Sequence, residues 1–466
     1  MRHPVIQFFG LIICISALIY ACKSDTGTAV TPSSAIVSGL TCGSATFSAT
    51  TISGTAYTGT ATIPYTGGNG VTYAAGSAIA STGVVGLNAT LQAGTLSTGA
   101  GKLTFSISGT PSGSGTATFA ISFGGQTCAL AVPISLSVIT PGSSTGVSGT
   151  SSLSAVVAAA EAFKATLTAS QLALVQLAYS KTDALKWSNL PDGLYNGRVG
   201  IKLSVLNATQ LAAFYTLMGT VMARDVTNEG LDELEGGLVA DDYLGANGGS
   251  AATYSRGNFH VAFLGTPSNT GLWELQFGGH HYTFANTYNN GKVTGVTPSF
   301  RAVEPMATIT ANNRTYQPVE QERAAFAALL MGLSSTEQAT AKLAATYSDV
   351  LLGPGKDGQF PTAKSGVKVG DLTAAKKELV LNAIKLYVND LDAETAATIL
   401  AKYTSEIDNT YVAYSGTTAV TSQNDYIRID GPSIWIEFSY QGGIVIRNTP
   451  HPHSVWRDRT GDYGGN

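Results

Sequence analysis

Gly200-Ile201-Lys202-Leu203, with Leu206-Asn207 behind it, returns 166 residues later as Gly366-Val367-Lys368-Val369 with Leu372-Thr373. Leu167-Thr168 and Leu333-Ser334 keep the same interval, and so do Gly265 and Gly431. After each of these last glycines comes a proline and then a tryptophan-bearing stretch, Trp273-Glu274-Leu275 or Trp435-Ile436-Glu437. Solenoid repeats recur every ~20–50 residues, so an interval this long marks duplication of a domain-sized unit.

Each half reads as helices followed by a β-hairpin. Thr168-Ala169-Ser170-Gln171 and Ser334-Ser335-Thr336-Glu337 have the capping-box form, in which a hydroxyl and a Gln or Glu reciprocally satisfy the first free amides. Asn207 with Gln210 does the same, and Leu211, Phe214, Leu217 and Met218 then recur at helical spacing. Strands at 259–264 and 426–430 each precede a tryptophan strand. The expectation is an α+β domain of two duplicated helices-plus-hairpin halves, 153–310 and 311–466. They should pack face to face about a pseudo-two-fold axis, with a cleft at the dyad.

Upstream the composition changes. Between residues 26 and 160 the only charged side chain is Lys102. Short alternating runs such as Thr116-Ala117-Thr118-Phe119-Ala120-Ile121, separated by Gly and Asn turns, predict an all-β sandwich over 35–140. Residues 63–70 and 108–117 resemble the immunoglobulin-like repeats of bacterial surface proteins, a resemblance that implies a spacer or adhesive module. Residues 94–102 have the wrong glycine spacing for a phosphate loop, and Leu103 stands where Ser or Thr is required. The Gly- and Ser-rich run 141–152 is a linker by composition.

The N-terminus reads as a targeting segment. Arg2 and His3 precede an apolar run, which ends in Ile19-Tyr20-Ala21-Cys22. That tetrapeptide resembles the bacterial lipobox, and the resemblance implies a signal at 1–21, lipid on Cys22 and a tether over 22–34. The expected location is the cell envelope, anchored by lipid to a membrane that is the outer one. Loss of Arg2 with the signal takes the formal charge from −4 to −5, which argues against a nucleic-acid partner. Cys14 leaves with the signal, so Cys42 and Cys128 are left to form a disulfide in an oxidising compartment.

Five histidines follow the signal: His260, His280, His281, His451 and His453. His451-Pro452-His453 puts two imidazoles on one face of an extended segment, where both can reach one ion. Gly278-Gly279-His280-His281 offers one more ring, since adjacent residues face opposite ways. With a carboxylate such as Glu437 these would make a mixed nitrogen and oxygen shell for zinc, copper, nickel or iron. Glu437 and Asp458 are the candidate proton acceptors if the site is catalytic. The competing reading is a non-catalytic surface protein binding a peptide or glycan, with structural histidines. His260 reads as an ordinary strand residue at the repeat position of Tyr426. Trp273, Trp435 and Trp456 read as core, Arg457 with Asp458 as a clamp on the tail, and Asp241-Asp242 as a helix cap. No His-Glu-x-x-His, calcium-loop or Cys-x-x-Cys-His pattern is present, which argues against a zincin of standard type and c-type haem attachment.

The stretch from Trp273 to Phe300 and the closing run resemble the bacterial domain-of-unknown-function 3500 family. The closing run contains Arg428-Ile429-Asp430-Gly431-Pro432, Trp435-Ile436-Glu437-Phe438, His451-Pro452-His453-Ser454-Val455-Trp456-Arg457-Asp458 and Asp462-Tyr463-Gly464. The resemblance covers everything after the linker and implies a shared fold without an established activity.

Overall fold

The computed structural model describes residues 34–52, 55–112, 115–135, 152–224, 226–311 and 314–465. The signal at 1–21, Cys22, the tether as far as 33 and linker residues 141–151 lie outside the described residues.

The N-terminal region is rich in strands. Its longer ones are β1 (Tyr57–Asn69), β2 (Leu87–Leu91), β3 (Thr98–Gly109), β4 (Gly115–Phe123) and β5 (Gln126–Ser135). Burial along β1 falls on Tyr57, Ala61, Ile63 and Tyr65, the period of two that a pleated strand imposes. Antiparallel pairing gives one sheet with β3 between β1 and β2, and a second holding β4 and β5. Ile63, Phe105 and Ile107 of the first sheet share one apolar cluster with Phe119, Ile121 and Leu130 of the second.

Cys42 and Cys128 form a disulfide across a sequence separation of 86 residues. Closing a loop of that length removes unfolded-chain entropy worth about 4.5 kcal/mol. A Cys42→Ala, Cys128→Ala chain should therefore lose about that much stability in this region. Denaturant melts with and without reductant read the difference, and superimposable curves would contradict it.

The region after the linker mixes helices and one large sheet. Its first part holds α1 (Leu153–Ala165), α2 (Ala208–Val221), α3 (Leu231–Ala246), β6 (His260–Leu264), β7 (Trp273–Gly278), β8 (Tyr282–Asn289) and β9 (Ser299–Ala302). The rest holds α4 (Glu320–Gly332), α5 (Ala374–Val388), α6 (Ala393–Glu406), β10 (Tyr411–Ser415), β11 (Tyr426–Asp430), β12 (Ile434–Gln441) and β13 (His451–Asp458). All three capping boxes close as the sequence predicts: Thr168 with Gln171, Asn207 with Gln210, and Ser334 with Glu337.

The strands form a single twelve-stranded sheet, which runs β6-β7-β8-β9-β13-β12-β11-β10 with short strands at its margins. The two parts therefore meet edge to edge through antiparallel β9 and β13, with Ser299 opposite Trp456 and Ala302 opposite His453. This corrects the face-to-face arrangement: free strand edges hydrogen-bond to each other, while the faces are already covered. Helices cover one face, packing Phe163, Phe214 and Leu238 on Val261, Phe263 and Leu275. They also pack Phe326, Ile384 and Tyr403 on Ile427, Ile436 and Trp456. The other face carries Ala262, Leu264, Phe300 and Val455 beneath Trp187 and Tyr463. The joint is reinforced on the helix face, where buried Arg301 of β9 pairs with Glu233 of α3 at 3.0 Å and with Asp390.

The 166-residue interval holds through the helix starts at Ala208 and Ala374 and fails at the strands beyond those helices. Lys202 pairs with His260, but Lys368 pairs with Tyr411, so the strand beside Val367–Lys368 is β10 and not Tyr426–Asp430. His260 thus matches Tyr411 in position, not Tyr426. Gly265 and Gly416 both end these strands with left-handed backbone (φ 83° and 85°), a conformation in which glycine carries no Cβ penalty. Trp273 and Trp435 lie on strands at different distances from the β9–β13 joint. Apolar strands read alike in sequence, and loops of unequal length hide which ones correspond.

Glu274 on β7 is wholly buried, accepting from Thr287 Oγ1 at 3.0 Å. Burial pushes its carboxyl up to about 7 against the hydrogen bonds that favour the anion. The folded state thus holds the proton more tightly than the unfolded chain, whose glutamates titrate near 4.3. Its contribution to stability is present below about pH 4.3 and is lost as pH rises through about 7. Melting temperature against pH should fall less steeply in Glu274→Gln across that window. Parallel wild-type and variant profiles would rule the assignment out.

Candidate metal centre

β7 and β8 are joined by a two-residue turn. Gly278 and Thr283 are the last ladder pair, and the Gly279 amide donates to Tyr282 O at 2.9 Å, leaving His280 and His281 at the tip. A Cβ on Gly279 would come within 2.6 Å of the Phe259 ring, so glycine allows the turn to lie on that side chain. His281 has φ 66°, left-handed backbone that a branchless residue would adopt more readily. Such a conformation costs about 1–3 kcal/mol and persists where the surroundings over-determine it. Here they do: the His281 amide donates to Asn189 O at 3.3 Å, and its carbonyl accepts from the Ala302 amide at 2.7 Å.

The other two rings come from β13, where the strand period puts His451 and His453 on one face. Because Ala302 of β9 is opposite His453 and bonded to His281, the turn is brought directly over the strand. The three imidazoles form a near-equilateral triangle. Ring centroids are 5.3 Å apart for His281 and His451, 5.1 Å for His281 and His453, and 5.0 Å for His451 and His453. One ligand atom from each lies within 4.8 Å of the others, and all three residues are buried. His281 Nε2 and His453 Nε2 face each other at 3.3 Å.

Outer partners fix these rings. His453 Nδ1 is 3.0 Å from Asp349 Oδ1, and His451 has a hydrogen bond with the Gly442 backbone. His451 Nδ1 is buried with no hydrogen-bond partner. His280 stacks on His281 with centroids 3.6 Å apart, and its Nδ1 lies 2.6 Å from Asp241 Oδ1. Burial and the neighbouring imidazoles hold His281 well below the usual histidine range, and the same causes bring His451 down to about 3. Both are neutral near pH 7, the form that binds metal.

Several predicted roles do not survive. Glu437 is not a ligand or a free base: its oxygens accept from the Leu351 and Leu352 amides at 2.7 and 2.8 Å and from Tyr426 Oη at 2.6 Å. Asp458 lies five residues beyond His453 on the opposite face of β13, engaged by Lys402, Tyr403 and Thr460. Arg457 does clamp the tail, but through Asp462 and Asp357 and not through Asp458. Asp241 and Asp242 sit inside α3 and not at its cap; Asp242 pairs with Arg256. His260 is a strand residue beside Asp192, apart from the triangle. Trp273, Trp435 and Trp456 are all core. Sequence reasoning missed Asp349 and Trp187 and mistook Asp241; 104 residues separate Asp349 from His453, and no local pattern links them.

The triangle opens into a cleft of about 740 Å³, walled by Trp187, Leu194, Tyr254, Asp349 and Ile444 among others. Residues 149–465 match the family described as protein of unknown function (DUF3500). The chain belongs to this family. The match takes in every side chain of the triangle and its outer partners, so the site lies wholly within the DUF3500 region. No curated protein and no solved structure matches the chain. Among the described residues, no helix is long and apolar enough to cross a membrane.

Proposed function

We propose that this DUF3500 domain binds a divalent transition metal through His281, His451 and His453. The carrying observation is the convergence of three buried imidazoles, with His451 Nδ1 left unpartnered among them. Two nitrogens on a tetrahedral zinc with ~2.05 Å bonds stand about 3.3 Å apart, and His281 Nε2 and His453 Nε2 are 3.3 Å apart. Asp349 behind His453 supplies the carboxylate that orients a ligating imidazole. Three protein nitrogens leave a coordination position for water or a ligand in the cleft, where an ion acts as a Lewis acid.

We further infer a setting for this domain. The two-sheet region before it is read as an immunoglobulin-like spacer, and the edge-to-edge halves as products of duplication, supported by paired capping boxes and the Gly265 and Gly416 strand ends. Cys22 is read as the lipid attachment point of an exported envelope protein, outer membrane included. This rests on the basic start at Arg2 and His3, the apolar run after it and residues 19–22.

Elemental analysis after reconstitution with zinc, copper, nickel or iron tests the metal. About one equivalent is expected for one of them, and less than a tenth of an equivalent of each would falsify the reading.

A further inference from the structure

The cleft above the triangle has walls of an unusual make-up. Among the described residues, Leu190, Leu194, Leu351 and Ile444 are large apolar side chains open to solvent, Leu194 at 70% and Ile444 at 64%, and all four line this one cleft. Trp187, Tyr195 and Tyr254 add aromatic surface. Apolar surface gathered at a concavity of this size is the signature of a small-molecule site.

These walls are held in place. Arg198 donates to the Ser188 carbonyl at 2.9 Å, to Leu190 O, and to the Gly279 carbonyl at 3.1 Å, tying one wall to the histidine turn. Buried Glu304 accepts the amides of Ile444, Val445 and Ile446 at 2.7–2.8 Å. Glu437 holds the Leu351 and Leu352 amides in the same way. Three loops are thus each gripped by a charged side chain, and each presents an apolar residue outward. Rigid apolar edges do not close over one another; they are prepared for something else. Lys356 is the one lysine or arginine of the lining, and it forms no ion pair among the described residues.

We infer that the cleft takes an apolar monocarboxylate, its hydrocarbon along Trp187, Leu190, Leu194 and Ile444 and its acid group at the three-histidine site. The placement of the acid group rests on the metal reading; the apolar contact does not. A carboxylate oxygen is a ligand that an ion on three imidazoles accepts.

Calorimetric titration of decanoate and of acetate into the full chain, zinc-loaded and metal-free, tests this. In the zinc-loaded chain decanoate should bind at least about tenfold more tightly than acetate. Leu194→Ser with Ile444→Ser should weaken decanoate by a similar factor and leave acetate unchanged. Both positions are solvent-facing, so the fold tolerates the change, and circular dichroism confirms it. Metal removal should weaken decanoate without abolishing its advantage over acetate. Equal affinities for the two acids, no saturable decanoate binding at millimolar concentration, or an unaffected double variant would each overturn the proposal. A chain that takes up no zinc yet still prefers decanoate sinks the metal reading alone and upholds the apolar walls, with Lys356→Ala then expected to weaken the acid.

Discussion

A His281→Gly chain should lose its metal and keep its fold. The substitution removes one of three converging nitrogens and leaves only the pair on β13. Loss of an outer-shell partner alone costs ~10–100-fold in metal affinity, and loss of a ligand should exceed that. At φ 66° glycine is the residue the backbone prefers, so the strain released offsets the stacking lost against His280. The metal-free variant should therefore melt within a few degrees of the metal-free parent. Asp349→Ala gives the graded comparison: it frees His453 Nδ1 without removing a ligand, and zinc should weaken by ~10–100-fold. Chelator-competition titrations measure both. Undiminished zinc binding in His281→Gly would show that the triangle is only a hydrogen-bonded cluster.

Glu437→Ala should be strongly destabilising and should leave metal stoichiometry unchanged. The carboxylate is fully buried and accepts three hydrogen bonds, two from the amides of Leu351 and Leu352 and one from Tyr426. Each buried donor left without an acceptor costs about 1–3 kcal/mol, less whatever water entering the new space recovers. A loss of roughly 3 kcal/mol or more is expected from denaturant unfolding. Zinc content near one equivalent would separate this structural role from that of a ligand. A stable Glu437→Ala chain that has lost its metal would reverse the assignment.

Much of the secondary structure was legible because it rests on local chemistry. Capping boxes at Thr168, Asn207 and Ser334 involve residues three apart, and all three close. The Cys42–Cys128 bridge followed from there being two cysteines left to pair. His451 and His453 share a face because a strand repeats every two residues. That only one of His280 and His281 joins them also followed from adjacency, though the reason is a turn and not a strand.

Longer-range claims fared differently. The 166-residue interval held from Leu167 through the helix start at Ala208 and failed at the strands beyond, since side-chain patterns do not record how many residues a loop spends between strands. Glu437 and Asp458 looked like available carboxylates because a sequence lists acids without their partners. Arg457 and Asp458 were paired as neighbours, yet in a strand neighbours face opposite ways.

By itself the sequence determined the helix starts, the disulfide, the alternating strands and the family, each set by neighbours or by composition. Only the tertiary structure decided that β9 and β13 join two sheets into one. That joint brings a left-handed turn at 281 over a strand at 451–453 and puts Asp349 behind it. The reason is physical: hydrogen bonding between strand edges fixes distances across 172 residues of chain, and no periodicity along the chain encodes them.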